Sequence, residues 1–177
     1  MKTSETWWQA VKADETLLKD WLLKQWRGEV TASNRIVRFA EQYASDQHQV
    51  KVLNAIAAQE RQHAEWVEQL LLSRGIEVDA GQIDQAEQRY WKETLHGITD
   101  FETGSAVAAH AEGMRLERIR VIAADEQAPA DIRSVFERIL KDEEWHERAF
   151  SELSSPVALA ATQANHEAGL QALGLVA

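Results

Sequence analysis

The chain has 177 residues, a length that suits one domain with a sizeable buried core. It is rich in Ala, Leu, Glu, Gln, Lys and Arg, with eight Gly and two Pro, the profile of an all-α protein. A net charge of −10 argues against attraction to nucleic acid or an anionic membrane; the absence of cysteine excludes disulfides, zinc–thiolate sites and thiolate-held iron–sulfur clusters within the chain.

The N-terminus, Met1-Lys2-Thr3-Ser4-Glu5, has no apolar signal region, and no run is long enough to span a bilayer, so a soluble cytoplasmic protein is expected. Residues 4–12 read as a short amphipathic helix with Trp7, Trp8 and Val11 on one side, a packing cap on the bundle of longer helices. Asp14 can cap the first long helix. Along it Leu17, Leu18, Trp21, Leu22, Gln25, Trp26, Glu29, Ala32, Ser33, Ile36 and Phe39 recur at helical spacing, with Gly28 marking a bend or a close contact. That helix should end near Ala44.

Ser45 or Asp46 caps the second long helix. Its inner stripe runs Val52, Ile56, Gln59/Glu60, His63, Val67, Leu70 and Leu71, and Gly75 fits the position just past its end. Residues 76–98 form a crossover with a short helix expected from about Ala80 to Leu95, carrying Ile83, Tyr90, Trp91 and Leu95. Thr99-x-x-Glu102 reads as a capping box for the third long helix, whose face holds Ala106, Ala109, Glu112, Leu116, Ile119 and Ala123. Pro129 fits the first position of the fourth, which buries Ile132, Val135, Phe136, Ile139, Glu143, His146 and Phe150. Ser155-Pro156 starts a final, weakly amphipathic helix, about residues 157–173.

Two motifs stand out on these stripes. Glu60-x-x-His63 and Glu143-x-x-His146 each put a carboxylate and an imidazole on one helical face. Glu29 and Glu112 precede them at one offset, 31 positions from 29 to 60 and again from 112 to 143. The midpoints fall at Ala44/Ser45 and Gln127/Ala128, both at helix-break signals, so each half reads as a helical hairpin bringing Glu, Glu and His to one level. A third Glu-x-x-His, Glu93 to His96, has Gln62 at the matching upstream position and reads as surface or capping residues.

Four carboxylates and two imidazoles buried together form a poor apolar core. Unpaired, each buried carboxylate costs on the order of several kcal/mol or takes up a proton. Two divalent cations would match the four carboxylates, and carboxylate-plus-imidazole ligation suits iron or manganese. The alternative is a salt-bridge network with Arg or Lys; the stripes hold no basic residue close to these six positions, which disfavours it.

The pattern Glu, then Glu-x-x-His, repeated twice, resembles the ferritin-like di-iron carboxylate superfamily, in which such residues project into a four-helix bundle. The resemblance covers roughly residues 14–152. It implies a single ferritin-like domain over 1–177: an up-down four-helix bundle, a long crossover between helices two and three, and extra terminal helices. By carry-over Glu29 and Glu112 are terminal ligands, Glu60 and Glu143 bridge, and His63 and His146 supply one imidazole per ion. Asp142 is assigned as outer partner of His63, and Gln59 of His146. The resemblance implies two iron ions, manganese being an alternative, and chemistry with oxygen or hydrogen peroxide. Alternatives are a di-iron mono-oxygenase of a small organic substrate and non-enzymatic iron binding or storage. Rubrerythrins in this superfamily reduce peroxide, and without a cysteine-held iron this chain would need an external electron donor. They also carry an extra Glu one turn after the third-helix ligand, where this chain has Arg115. Ala32, Ser33, Ala108 and Ala109 flank Glu29 and Glu112 and leave either a pocket or close helix packing. A homodimer is the default oligomer.

Overall fold

The structure, a computed structural model, describes residues 3–79 and 94–173. Among these residues it is all-α: α1 (Ser4–Ala13), α2 (Glu15–Tyr43), α3 (Gln47–Leu72), α4 (Phe101–Ala124), α5 (Ala130–Leu153) and α6 (Pro156–Ala172), with one short 3-10 turn at Leu95–Gly97. Most of the short crossover helix expected at 80–95, with Ile83, Tyr90, Trp91 and Glu93, lies outside the described residues. No helix among the described residues is long and apolar enough to cross a membrane.

Helix boundaries obey local chemistry. Asp14 caps α2 by accepting from the Thr16 and Leu17 amides. Asp46 caps α3 through the Gln49 amide, and the Gln49 side chain reaches back to the Ser45 amide. Past α3, the Gly75 amide bonds Leu72 O and the Ile76 amide bonds Leu71 O. This is the paired closure that needs a left-handed residue, and Gly75 has φ +72°. Ser155 caps α6, with Pro156 next in the chain.

Two caps shift by one residue from the sequence reading. Asp100, not Thr99, caps α4, because its carboxylate accepts the Thr103 amide while Thr103 Oγ1 accepts the Asp100 amide. Glu102 is thereby freed to accept the Ser155 hydroxyl and anchor the start of α6. Pro129 is itself the cap of α5, with extended ψ of 128°, rather than its first helical residue. Its carbonyl accepts the first intrahelical amide, from Arg133.

Helices α2 and α3 pack along one another, as do α4 and α5, and α3 meets α5 across the pairs. The short turns at 44–46 and 125–129 make both pairs antiparallel hairpins, which is the expected up-down four-helix bundle. Helix α1 caps α2 and α4, and α6 lies along α4. With neighbours on several sides, α4 buries Gly104, Ser105, Ala106, Val107, Ala109 and Ala111, so its sequence shows only weak amphipathicity. Leu17, expected in the core, is 45% exposed; Leu18 takes the inward position beside it.

The core is divided. One apolar cluster gathers Trp8, Leu22, Trp26, Val67, Leu71, Ile119, Ile132, Phe136 and Ile139. The other gathers Ile36, Ala40, Leu53, Ile56, Ala109, Ala149 and Phe150. In each bundle helix a polar stretch separates them: Glu29 in α2, Glu60 and His63 in α3, Glu112 in α4, Glu143 and His146 in α5. Tight contact holds the second cluster. A Cβ at Gly104 would drive into the Phe39 ring, which is stacked on Phe101 at 5.5 Å and packed near Tyr43 at 5.4 Å. Gly104→Ala is therefore expected to cost about 1–3 kcal/mol, read from the midpoint of denaturant unfolding, because the ring has little room to yield.

Candidate metal centre

The polar layer is closed to water. Glu29, Glu60, His63, Glu143 and His146 are fully buried, and Glu112 is 4% exposed. Glu29, Glu60, His63 and Glu143 bring one ligand atom each within 4.8 Å of the others, a grouping that can hold a metal ion. His146 joins through its Nδ1, 3.1 Å from Glu60 Oε1 and 3.6 Å from Glu143 Oε2. Glu112 is outside that group of four, and its Oε2 lies 3.4 Å from Arg115 Nη1.

The imidazoles are fixed from outside. His63 Nε2 lies 3.0 Å from Asp142 Oδ2, and His146 Nε2 lies 3.0 Å from Gln59 Oε1. Both partners only accept at these atoms, so each Nε2 carries the proton and each Nδ1 faces inward. Gln59 Nε2 also donates to Asp142 Oδ1 at 2.9 Å, so one chain of contacts, His63–Asp142–Gln59–His146, ties α3 to α5. The two contacts are related by an offset of 83 positions, from 59 to 142 and from 63 to 146. Trp66 lies against His63 at 5.5 Å and Trp145 against His146 at 5.6 Å. On the α2 side, Gln25 donates to Glu29 Oε1.

The expectation that no basic residue lies near the six positions is wrong. Arg115 Nη2 sits 2.7 Å from Glu29 Oε2, 3.1 Å from Glu143 Oε1 and 3.6 Å from Glu60 Oε2, and Nη1 sits 3.4 Å from Glu112 Oε2. The arginine that stands where rubrerythrins carry an extra Glu turns inward and touches all four carboxylates. The signal was in the sequence: Arg115 lies three positions after Glu112, on the same helical face.

Charge in the layer is divided between the four acids. Burial raises the pKa of each. For Glu143 the Arg115 charge and the adjoining His146 and His63 imidazoles outweigh it and hold the carboxyl well below the usual range. Glu29 is also lowered, burial being outweighed chiefly by Arg115. Burial wins for Glu60 and Glu112, which are raised well above that range, with the neighbouring carboxylates adding to it. Burial lowers His63, but the adjoining Glu143 carboxylate and the charges of Glu29 and Glu60 raise it to about 9. Within the layer, charge is thus favoured on Glu29 and Glu143, beside Arg115, over Glu60 and Glu112.

Hydrogen bonds do not satisfy the layer. Both oxygens of Glu60, Glu143 Oε2, His63 Nδ1 and His146 Nδ1 are buried without a hydrogen-bond partner. Such atoms are rare in folded proteins and costly. All five point into one layer and all five are good donors to iron or manganese. The residues present fit a metal centre. The small flanking residues serve packing at one point at least, since the Ser33 hydroxyl donates to Ala57 O at 2.8 Å across α2 and α3. His96 is exposed at the turn before α4, away from the layer. His96→Ala should leave metal content unchanged, measured by elemental analysis; loss of an ion per chain would place a ligand outside the bundle.

Residues 20–154, which span all four bundle helices, match the family model described as Rubrerythrin. The comparisons with curated proteins and with solved structures returned no match.

Proposed function

The chain belongs to the rubrerythrin family, and on that premise we propose that it is a di-iron carboxylate oxidoreductase reacting with hydrogen peroxide or oxygen. Glu29, Glu60 and His63 would hold one ion, and Glu112, Glu143 and His146 the other, with Glu60 and Glu143 shared between them. Iron held by these residues, or manganese, would supply redox chemistry for the reduction of peroxide or oxygen.

The rest is the work of this chain's own residues. Asp142 and Gln59 orient His63 and His146 so that Nδ1 of each is presented to the layer. Phe150, Ile56, Ile139 and Val67 close the layer above and below and exclude water, which keeps the carboxylate charges effective. Gln25 fixes the carboxylate of Glu29 from solvent-side. Electrons for repeated turnover would come from an external donor, since the chain holds no cysteine for a second iron centre. A homodimer in the cytoplasm is the proposed form.

The observation that carries this reading is the set of inward Nδ1 and carboxylate atoms that are buried and unpartnered. Anaerobic ferrous loading, then separate pulses of peroxide and oxygen watched by absorbance, tests it. Binding should saturate at about two irons per chain, and a chemical reductant should restore consumption of the oxidant. Uptake of many tens of irons per chain by a large shell would show storage instead. Saturation without turnover would reduce the protein to a metal binder.

A further inference from the structure

We propose that Arg115 is a resident counter-cation of this pocket, and that a divalent ion entering it must displace the guanidinium. The inference rests on the layer being a metal centre, and goes beyond it by assigning a competitor that the chain itself carries. Arg115 reaches one carboxylate from each bundle helix: Glu29 of α2, Glu60 of α3, Glu112 of α4 and Glu143 of α5. Its closest contacts, 2.7 Å to Glu29 Oε2 and 3.1 Å to Glu143 Oε1, are hydrogen bonds to residues of the group whose ligand atoms converge within 4.8 Å.

A metal ion would need those same lone pairs at about 2.0–2.2 Å. It would then lie within about 5 Å of a guanidinium that never loses its charge, and two cations at that spacing in a buried site repel strongly. Arg115 and the ion are therefore alternative occupants. The arginine also has an exit. Its side chain is 22% exposed, whereas those of the four carboxylates are 0–6% exposed. It can swing toward solvent, while its partners cannot move with it. One residue thus has two effects. Arg115 gives the pocket a charge-assisted network that a bare cluster of carboxylates would lack, and metal affinity is set lower than the six ligand positions alone would give.

Zinc is a suitable probe, being divalent, redox-inert and diamagnetic. Metal-free wild type and Arg115→Gln would be titrated with zinc against a chromophoric chelator, and each melted with and without zinc. Arg115→Gln should bind zinc roughly tenfold or more tightly, since an internal repulsion is removed. Its metal-free form should melt below wild type, and zinc should close or reverse that gap. Equal or weaker zinc binding by Arg115→Gln, with wild type binding zinc normally, overturns the proposal but leaves the metal centre standing. Zinc binding by neither protein overturns both. Should metal-free Arg115→Gln fail to fold, wild type labelled with nitrogen-15 at arginine decides. The Arg115 Nε–H signal, assigned by its loss in Arg115→Lys, should shift on zinc loading; an unmoved signal in zinc-saturated protein overturns the displacement.

Discussion

Glu143→Ala should strip the centre of metal at both positions, not one. Glu143 lies 3.6 Å from His63 Nδ1 through one oxygen and 3.6 Å from His146 Nδ1 through the other, so its carboxylate spans the two imidazoles. In the proposed two-ion centre a residue in that place would serve both ions, and Glu60 faces it from α3. Loss of a residue that merely orients a ligand costs roughly 10–100-fold in affinity; loss of a shared ligand should cost more, and at two positions together. Glu60→Ala should behave alike, whereas His63→Ala should empty mainly the position beside Glu29. Elemental analysis after anaerobic loading and desalting reads all three. Full metal content in Glu143→Ala and Glu60→Ala would remove these residues from the centre. Folding has to be checked alongside, because Glu143→Ala also leaves Arg115 with fewer partners.

The bundle was legible because period and punctuation agreed. Each long helix carried an apolar stripe at helical spacing, and Asp14, Asp46, Gly75 and Ser155 marked ends where the backbone needed them. The six polar positions were legible for a different reason: a Glu or His on an otherwise apolar stripe violates the local rule, and such violations concentrate at functional sites. The outer partners Asp142 and Gln59 could be assigned only through the family resemblance, since a polar residue at a half-buried helix position has no signature of its own. Arg115 was legible as a departure but not in its consequence. Spacing put it on the Glu112 face, yet a long side chain can point to solvent or inward, and only the four converging carboxylates decide the direction. Thr99, read as a cap, and Pro129, read as a first helical residue, were each off by one, because Asp100 makes the cap contacts of α4 and Ala130 opens α5.

Trp8→Ala should be among the most destabilising single changes outside the polar layer, at about 3–5 kcal/mol. The indole is fully buried although it sits on a ten-residue helix at the edge of the fold. It packs edge-on to Trp21 at 5.4 Å, and Trp21 in turn lies 5.2 Å from Phe136 of α5. Its Nε1–H donates to Asp125 Oδ2 at 2.8 Å, the oxygen that also takes Lys12 at 2.6 Å. One side chain thus joins α1 to the α4–α5 turn and fills the end of the larger apolar cluster. Its loss removes packing and a hydrogen bond together and leaves a cavity that the bundle, pinned by its hairpin turns, can only partly close. Trp8→Phe separates the two contributions: it keeps most of the apolar area and should cost about 1–2 kcal/mol for the smaller ring and the missing N–H donor. Denaturant unfolding measures both. Metal content should stay unchanged in each folded variant, because α1 supplies nothing to the polar layer. A cost under about 1 kcal/mol for Trp8→Ala would mean that α1 is not docked on the bundle; a normal cost with lost metal would mean that the helix supports the centre as well as the core.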